Sequence, residues 1–454
     1  GLAGRVCTQC APLKDLHTSM YRGSSPFASP HLLPRASMCE TSSGGSVARV
    51  APLERGKHGL RSLTTLQVSR ARVLSTTDDS LRSIWRKRIA QHYAQGLAGS
   101  PVDAEEQAGQ EVRWLEEAAR TEVLKTGETW ESRVERMVRE IVQEDKPLAY
   151  VLGTQPFHPL PVDLLVRPPT LIPRPETEHW VSLLTERILV SRSRTSGGVD
   201  PFRILDIGTG TGCIALALTH GLSRTSDGSR KGGSGAVRTV AVDRAESAVR
   251  LAEENARRCG LLLAKQGGQS HTGQANVDDE SSALLHASNV AAAAVSIHQA
   301  DLFSPSFSST VLSHLRRLHP SESSSDASQP LKFDLVVSNP PYIPLHEYAQ
   351  LDRSVREWED RGALVGETAD QPLTARSKED DGLVFYRRIV SLLDELLDEG
   401  GGGPVVAFEV GKGQARDVER MLLEWRGGKG EKLETEVVED PWGIERAVFA
   451  SWKR

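Results

Sequence analysis

From about Thr77 onward the chain changes hydrophobic period twice. Leu81, Ile84, Trp85, Ile89 and Tyr93 follow the capping trio Thr77-Asp78-Asp79 and share one face of a predicted helix. Further helices are predicted over 104–125 and 131–144, the latter with Val134, Met137, Val138 and Ile141 on one side. Between 147 and 173 the pattern turns β-like and Pro-rich. Tyr150-Val151-Leu152-Gly153 and Pro161 to Val166 are predicted to form a hairpin. Short apolar runs then dominate: Phe202 to Ile207, Thr239 to Val242, Val295 to Gln299, Phe333 to Val337 and Val405 to Val410. Helical stretches over 179–190, 213–219, 246–258, 347–359 and 385–397 separate them, which predicts βαβ units and a mostly parallel sheet. The last two runs, 434–439 and 446–452, flank Pro441-Trp442-Gly443 and predict an antiparallel closing hairpin.

Composition sets the domain limits. Residues 1–78 are Arg- and Ser-rich with scattered Pro and Gly, the texture of a presequence expected to be disordered. No apolar signal core appears there, so the expected destination is the mitochondrial matrix. A helical N-terminal domain is expected over 79–147, a hairpin linker with a Pro-rich loop over 148–178, and the main domain over 179–454. Polar or Ser/Gly-rich stretches near 221–236, 264–294 and 304–330 lack steady periodicity and read as loop insertions.

Charge and cysteine use narrow the function classes. The 454 residues carry 38% hydrophobic and 25% charged side chains and no run near the ~20 apolar residues that cross a bilayer. Residues 1–75 hold ten Lys/Arg against three Asp/Glu, which leaves 45 basic against 57 acidic residues and a net charge of −12 for the rest. So acidic a body is not expected to bind nucleic acid stably. Of Cys7, Cys10, Cys39, Cys213 and Cys259, only two fall in the expected folded part, so no disulfide framework and no metal site are expected.

Candidate chemistry gathers at predicted strand ends. Gly208-Thr209-Gly210-Thr211-Gly212 follows the first main-domain strand and opens a helix, the turn by which backbone approaches a ligand. Its spacing is not that of dinucleotide binders, and no Walker lysine is present. Asp243 ends the next strand, where a carboxylate can accept both hydroxyls of a ribose. Asp301-Leu302 ends the third, beside a possible adenine edge. Ser338-Asn339-Pro340-Pro341-Tyr342 ends the fourth. There Asn339 offers a side-chain carbonyl and Pro340 a backbone carbonyl, two acceptors suited to the hydrogens of a planar –NH₂ group, while Tyr342 offers a flat face. An amide nitrogen is a poor nucleophile, and holding it by both hydrogens aims its lone pair.

These residues resemble the HemK/PrmC family, the N5-glutamine methyltransferases of peptide chain release factors. The resemblance covers about 80–454, insertions excepted. It rests on Tyr150 to Gly153, the stretch Leu171-Ile172-Pro173-Arg174-Pro175-Glu176-Thr177-Glu178, Leu205 to Gly212, Asn339 to Tyr342, Asp381-Gly382-Leu383 with Tyr386-Arg387, and Gly443-Ile444 with Arg446. It implies a class I S-adenosylmethionine-dependent methyltransferase, a Rossmann-like, mostly parallel seven-stranded α/β sheet with a closing hairpin, preceded by a small helical domain. It also implies cofactor over Gly208 to Gly212, Asp243 on its ribose and Asp301-Leu302 beside its adenine. The glutamine of a release factor's Gly-Gly-Gln loop would be held by Asn339 and Pro340 against Tyr342, with Pro341, Arg174 and Glu176 beside it. The expected chain is a monomer whose helical domain helps dock the release factor. Leu302 stands where some members carry an aromatic, and Glu359-Asp360-Arg361 replaces a Glu-Pro-Arg pattern. Two other readings share the motifs: an amino-methyltransferase acting on adenine N6 or guanine N2, and a non-catalytic module docking on ribosomes or release factors.

Overall fold

The computed structural model describes residues 79–94, 101–194, 201–223, 236–263, 293–318, 331–367, 381–399 and 402–453. The expected presequence with its three cysteines, 224–235, 264–292 and 319–330 lie outside the described residues. Two units are present, divided at Val142/Gln143. In the smaller unit, helix 79–94, helix Pro101–Thr126 and most of helix Trp130–Glu144 bury Trp85, Ile89, Leu115, Val134 and Met137. Trp85 and Trp130 meet edge to face, and Trp85 Nε1 donates to Glu135 Oε2 at 2.9 Å, so the largest core side chain also has its polar atom satisfied.

The larger unit carries a short hairpin, β1 Thr154–Gln155 against β2 Leu164–Leu165, and a sheet of seven strands in the order β5 (Ala293–Gln299), β4 (Val237–Asp243), β3 (Phe202–Ile207), β6 (Leu335–Ser338), β7 (Pro404–Glu409), β9 (Glu445–Trp452), β8 (Leu433–Glu439). Only β9 runs against its neighbours; the other pairings in the sheet are parallel. This is the class I methyltransferase sheet. Side-chain alternation sends Val336, Val406 and Phe408 into the core on one face, and Leu335, Val337 and Ala407 into the core on the other. Both faces are buried, which is why these strands read as continuous apolar runs. The chain order reverses between β3 and β6, and ligands of such sheets bind beyond the strand ends at that point.

Three local expectations give way. Tyr150, Val151 and Leu152 lie in a short helix, Leu148–Leu152, ended by Gly153 in the left-handed conformation. The hairpin is carried instead by β1 Thr154–Gln155 against β2 Leu164–Leu165. Residues 307–318, expected to be loop, form a helix that buries Phe307, Val311, Leu315 and Leu318. Their spacing is helical, but the many serines mask it, because a partly exposed helix uses them on its outer face. The single charged helix expected over 347–359 is three short ones, Leu345–Tyr348, Arg353–Trp358 and Arg361–Leu364. Asp352 and Asp360 restart the chain there by capping the second and third.

Candidate functional site

At the switch point two cavities meet. The outer cleft encloses about 1190 Å³ including its open mouth. Gly208, Gly210, Asp243, Asp301, Phe303 and Phe385 are among its walls. The inner cavity is smaller, about 660 Å³ on the same basis, and is bounded by Arg174, Glu176, Tyr342, Glu409 and Arg446. Asn339, Leu171 and Ala363 line both. A reaction between two bound molecules needs such a shared wall.

The glycine loop is held from below. Gly208 N and Thr209 N donate to Val242 O at 2.9 and 3.0 Å, so the turn is stitched to β4. Asp206, fully buried, accepts from Thr209 Oγ1 (2.7 Å) and Ala215 N (3.2 Å), and burial pushes its carboxyl up to about 7. Gly212 starts the Cys213–Leu222 helix at φ 86°; a Cβ there would sit 3.2 Å from Leu216 Cδ1 and 3.3 Å from Ala252 Cβ. Thr209, Thr211 and Gly212 therefore shape the loop from its buried side, while Gly208 and Gly210 face the cleft. Asn255 fixes the loop to the hairpin: its Nδ2 donates to Thr211 O and Leu165 O, both at 3.0 Å, and its Oδ1 accepts from Leu165 N at 2.7 Å.

Asp243 accepts from Gly210 N at 2.9 Å through Oδ2 and from Ala245 N at 2.8 Å through Oδ1. Burial pushes its carboxyl up, against those two donors. Each oxygen keeps a lone pair for a hydroxyl, so the site fits the ribose of a nucleoside. Leu302 is mostly buried in the sheet core and also lines the cleft. The aromatic surface at that end comes from Phe303 and Phe385, whose rings meet edge to face at 5.2 Å. Phe385 lies 82 residues further along the chain, and a strand-end motif gives no sign of it. Asp301 Oδ1 accepts from Phe303 N at 3.0 Å and so sets the turn that presents the ring.

The Asn339 segment is clamped by residues far from it in sequence. Ser338 Oγ donates to Ile207 O at 2.7 Å, tying β6 to β3. Gln414 Nε2 donates to Tyr342 O at 2.9 Å and to Asp381 O at 2.8 Å. Gly382 has φ 72°, and a Cβ on it would lie 2.1 Å from Tyr342 O; the Asp381-Gly382-Leu383 motif exists because two backbones touch there. Burial drives the Tyr342 hydroxyl well above its ordinary value, so it stays neutral.

Charged side chains wall the inner cavity. Arg174 Nη2 donates to both oxygens of Glu359, at 2.7 and 2.6 Å, and Glu359 is almost wholly buried. Burial pushes the Glu359 carboxyl up, opposed by Arg174. Asp360, next in the chain, donates its N–H to Pro169 O at 2.7 Å. A proline at 360 could not make that bond, so the altered Glu-Asp-Arg pattern ties this loop to the linker. Arg446 on β9 reaches Asp440 Oδ2 at 3.4 Å. Glu409 at the end of β7, with Thr177 and Trp180 that bond to it, joins the site through the folded chain rather than through any motif. A lone buried acid in an apolar strand is its only sign in the sequence. No cluster of His, Cys, Asp and Glu suited to a metal occurs among the described residues.

No family model matches the chain. Curated relatives do. The release factor glutamine methyltransferase of Geobacter sulfurreducens is 31% identical over 303 residues, covering 67% of this chain and 72% of that protein. This chain belongs to the release factor glutamine methyltransferases. The member from Bacillus cereus is 29% identical over 307 residues, 68% of this chain and 77% of its own length. Among solved structures, a SAM-dependent methyltransferase from Agrobacterium tumefaciens aligns over 66% of this chain and 70% of that one at 14% identity and TM-score 0.32. So loose a superposition carries no weight beside the strand order itself. Among the described residues no helix is long and apolar enough to cross a membrane.

Proposed function

We propose that this methyltransferase transfers a methyl group from S-adenosylmethionine to the side-chain amide nitrogen of a glutamine in a peptide chain release factor, in its Gly-Gly-Gln loop. The observation that carries this reading is the pair of cavities sharing Asn339, one suited to a nucleoside and one to a small polar group. Gly208 and Gly210 would face the cofactor, Asp243 its ribose, and Phe303 with Phe385 its adenine. The bound cofactor supplies an electrophilic methyl on a sulfonium.

Asn339, on the wall the two cavities share, and the carbonyl of Pro340, which lines the outer cleft beside it, accept the two amide hydrogens, with Tyr342 on the inner side. That grip turns the nitrogen lone pair toward the outer cleft. With the methyl donor bound there, an N–C bond would form as its S–C bond breaks, and the amide proton, made acidic by methylation, would pass to solvent. No covalent intermediate on the protein and no metal is needed. A net charge of −12 outside residues 1–75 favours a protein over a nucleic acid as acceptor. For location we propose the mitochondrial matrix, on the composition of residues 1–75 alone, and for assembly a monomer.

The test is transfer of labelled methyl to a purified mitochondrial release factor and to its Gly-Gly-Gln→Gly-Gly-Ala variant. Label on the first alone supports the reading. Label on neither, with cofactor shown to bind, sinks it and sends the search to nucleic acid amino groups.

A further inference from the structure

Glu409 is a buried acid in the inner cavity for which the transfer just described has no task. Its Oε2 accepts two hydrogen bonds, from Thr177 Oγ1 at 2.6 Å and Trp180 Nε1 at 2.8 Å, both on the Pro175–Arg194 helix. Its Oε1 accepts none from the described residues. Its backbone is pinned as well, since Tyr386 Oη donates to Glu409 O at 2.7 Å. The titratable groups facing it are Arg446 from β9, Glu176 from the start of that helix, the Tyr342 and Tyr386 hydroxyls and the Cys213 thiol at the start of the Cys213–Leu222 helix. Arg174, on the same wall, is turned to Glu359. Burial pushes the Glu409 carboxyl up, outweighing Arg446 and the two donors.

A neutral carboxylic acid has one oxygen with two free lone pairs and one that carries a hydrogen. Glu409 fits that form. The doubly bonded Oε2 is the carbonyl oxygen, and the unpartnered Oε1 is left as a hydroxyl at the cavity wall. A primary carboxamide needs three partners: two acceptors for its hydrogens and one donor for its oxygen. Asn339 and Pro340 are both acceptors, so the oxygen is still unanswered.

We propose that Glu409 acts as the donor, its Oε1–H bonding the carboxamide oxygen of the acceptor glutamine so that the cavity reads the amide from both ends. This rests on the inner cavity being the acceptor site. The same set of partners excludes a glutamate side chain, whose carboxylate would face the Asn339 and Pro340 carbonyl oxygens with no hydrogen to offer. Glu409 is thus a specificity residue, positioned by Thr177 and Trp180. It also gives Thr177, in the Pro-Arg-Pro-Glu-Thr-Glu stretch, a task at the site.

The experiment is transfer to a glutamine-bearing release factor at about pH 6 to 9 by the full chain, Glu409→Gln and Glu409→Ala, with cofactor affinity measured alongside. Glutamine can accept from Thr177 and Trp180 through its oxygen and donate through its nitrogen. Glu409→Gln is therefore expected to keep kcat/KM within about threefold, and Glu409→Ala to lose on the order of a hundredfold. Burial raises the Glu409 carboxyl, so wild-type transfer should fall as pH rises through its ionisation, and Glu409→Gln should not show that fall. A glutamine variant as weak as the alanine one, with cofactor still bound, would overturn the proposal by showing that the anion is required. So would superimposable pH profiles for wild type and Glu409→Gln, the result of a purely structural role. A wild type that labels no release factor at any pH removes the acceptor reading itself, and this proposal with it.

Discussion

The outer cleft and the inner cavity share Asn339 but are made of different material. The cleft presents backbone: a glycine turn stitched to β4, a carboxylate fixed by two amides, and aromatic rings supported from below. Apart from Phe385, on the Val384–Leu396 helix, its key parts follow one another at successive strand ends. The inner cavity presents ionisable side chains drawn from the segment after the hairpin, the loop after β6, the end of β7 and the start of β9. Arg174 and Glu359 are 185 residues apart, and Thr177 and Glu409 are 232 apart. A cofactor common to many enzymes suits a local motif. Reading one particular acceptor takes side chains whose spacing no local motif can set.

The largest expected effect separates the two halves at their common wall. Asn339→Ala should cut methyl transfer by about 10²–10³-fold, the range for removing one preorganised polar partner of a reacting group. Cofactor affinity should change little, as calorimetry would show. If binding fell in step with transfer, the cleft and the cavity would be one site rather than two.

A middle effect falls on the inner cavity alone. Arg174→Ala leaves the nearly buried Glu359 without its cation and should cost about 1–3 kcal/mol of stability in a denaturant titration. Transfer should drop as that wall loosens, with the cofactor bound as before. Glu359→Gln, which keeps one acceptor for Arg174, should lose less than Arg174→Ala. Equal losses would mean that the pair is incidental to the wall.

The smallest effect belongs to the cleft. Phe385→Ala removes one ring of the edge-to-face pair with Phe303 and should weaken cofactor binding by about 0.5–1.5 kcal/mol, roughly two- to tenfold. The kcat at saturating cofactor should hold. A fall in kcat without a change in affinity would place the ring in the reaction rather than in binding.

Legibility in the sequence follows the same division. Gly208 to Gly212, Asp243 and Asn339 to Tyr342 could be picked out because each closes a buried apolar run, and parallel strands buried on both faces must read as such runs. The 307–318 helix was hidden because its apolar stripe, Phe307, Val311, Leu315 and Leu318, is set among serines. Tyr150 to Leu152 read as strand because a five-residue helix is too short to show a period.

What the sequence by itself determined is the fold class, the order of strand ends and the family, since all three depend on runs and motifs local in the chain. Tertiary structure alone decided that Phe385 joins Phe303, that Gln414 and Gly382 clamp Tyr342, and that Thr177 and Trp180 hold Glu409 in the inner cavity. The physical reason is range. A turn or a strand end is fixed by neighbours a few residues away, whereas a buried charge is tolerated only where the folded chain brings partners to it from elsewhere.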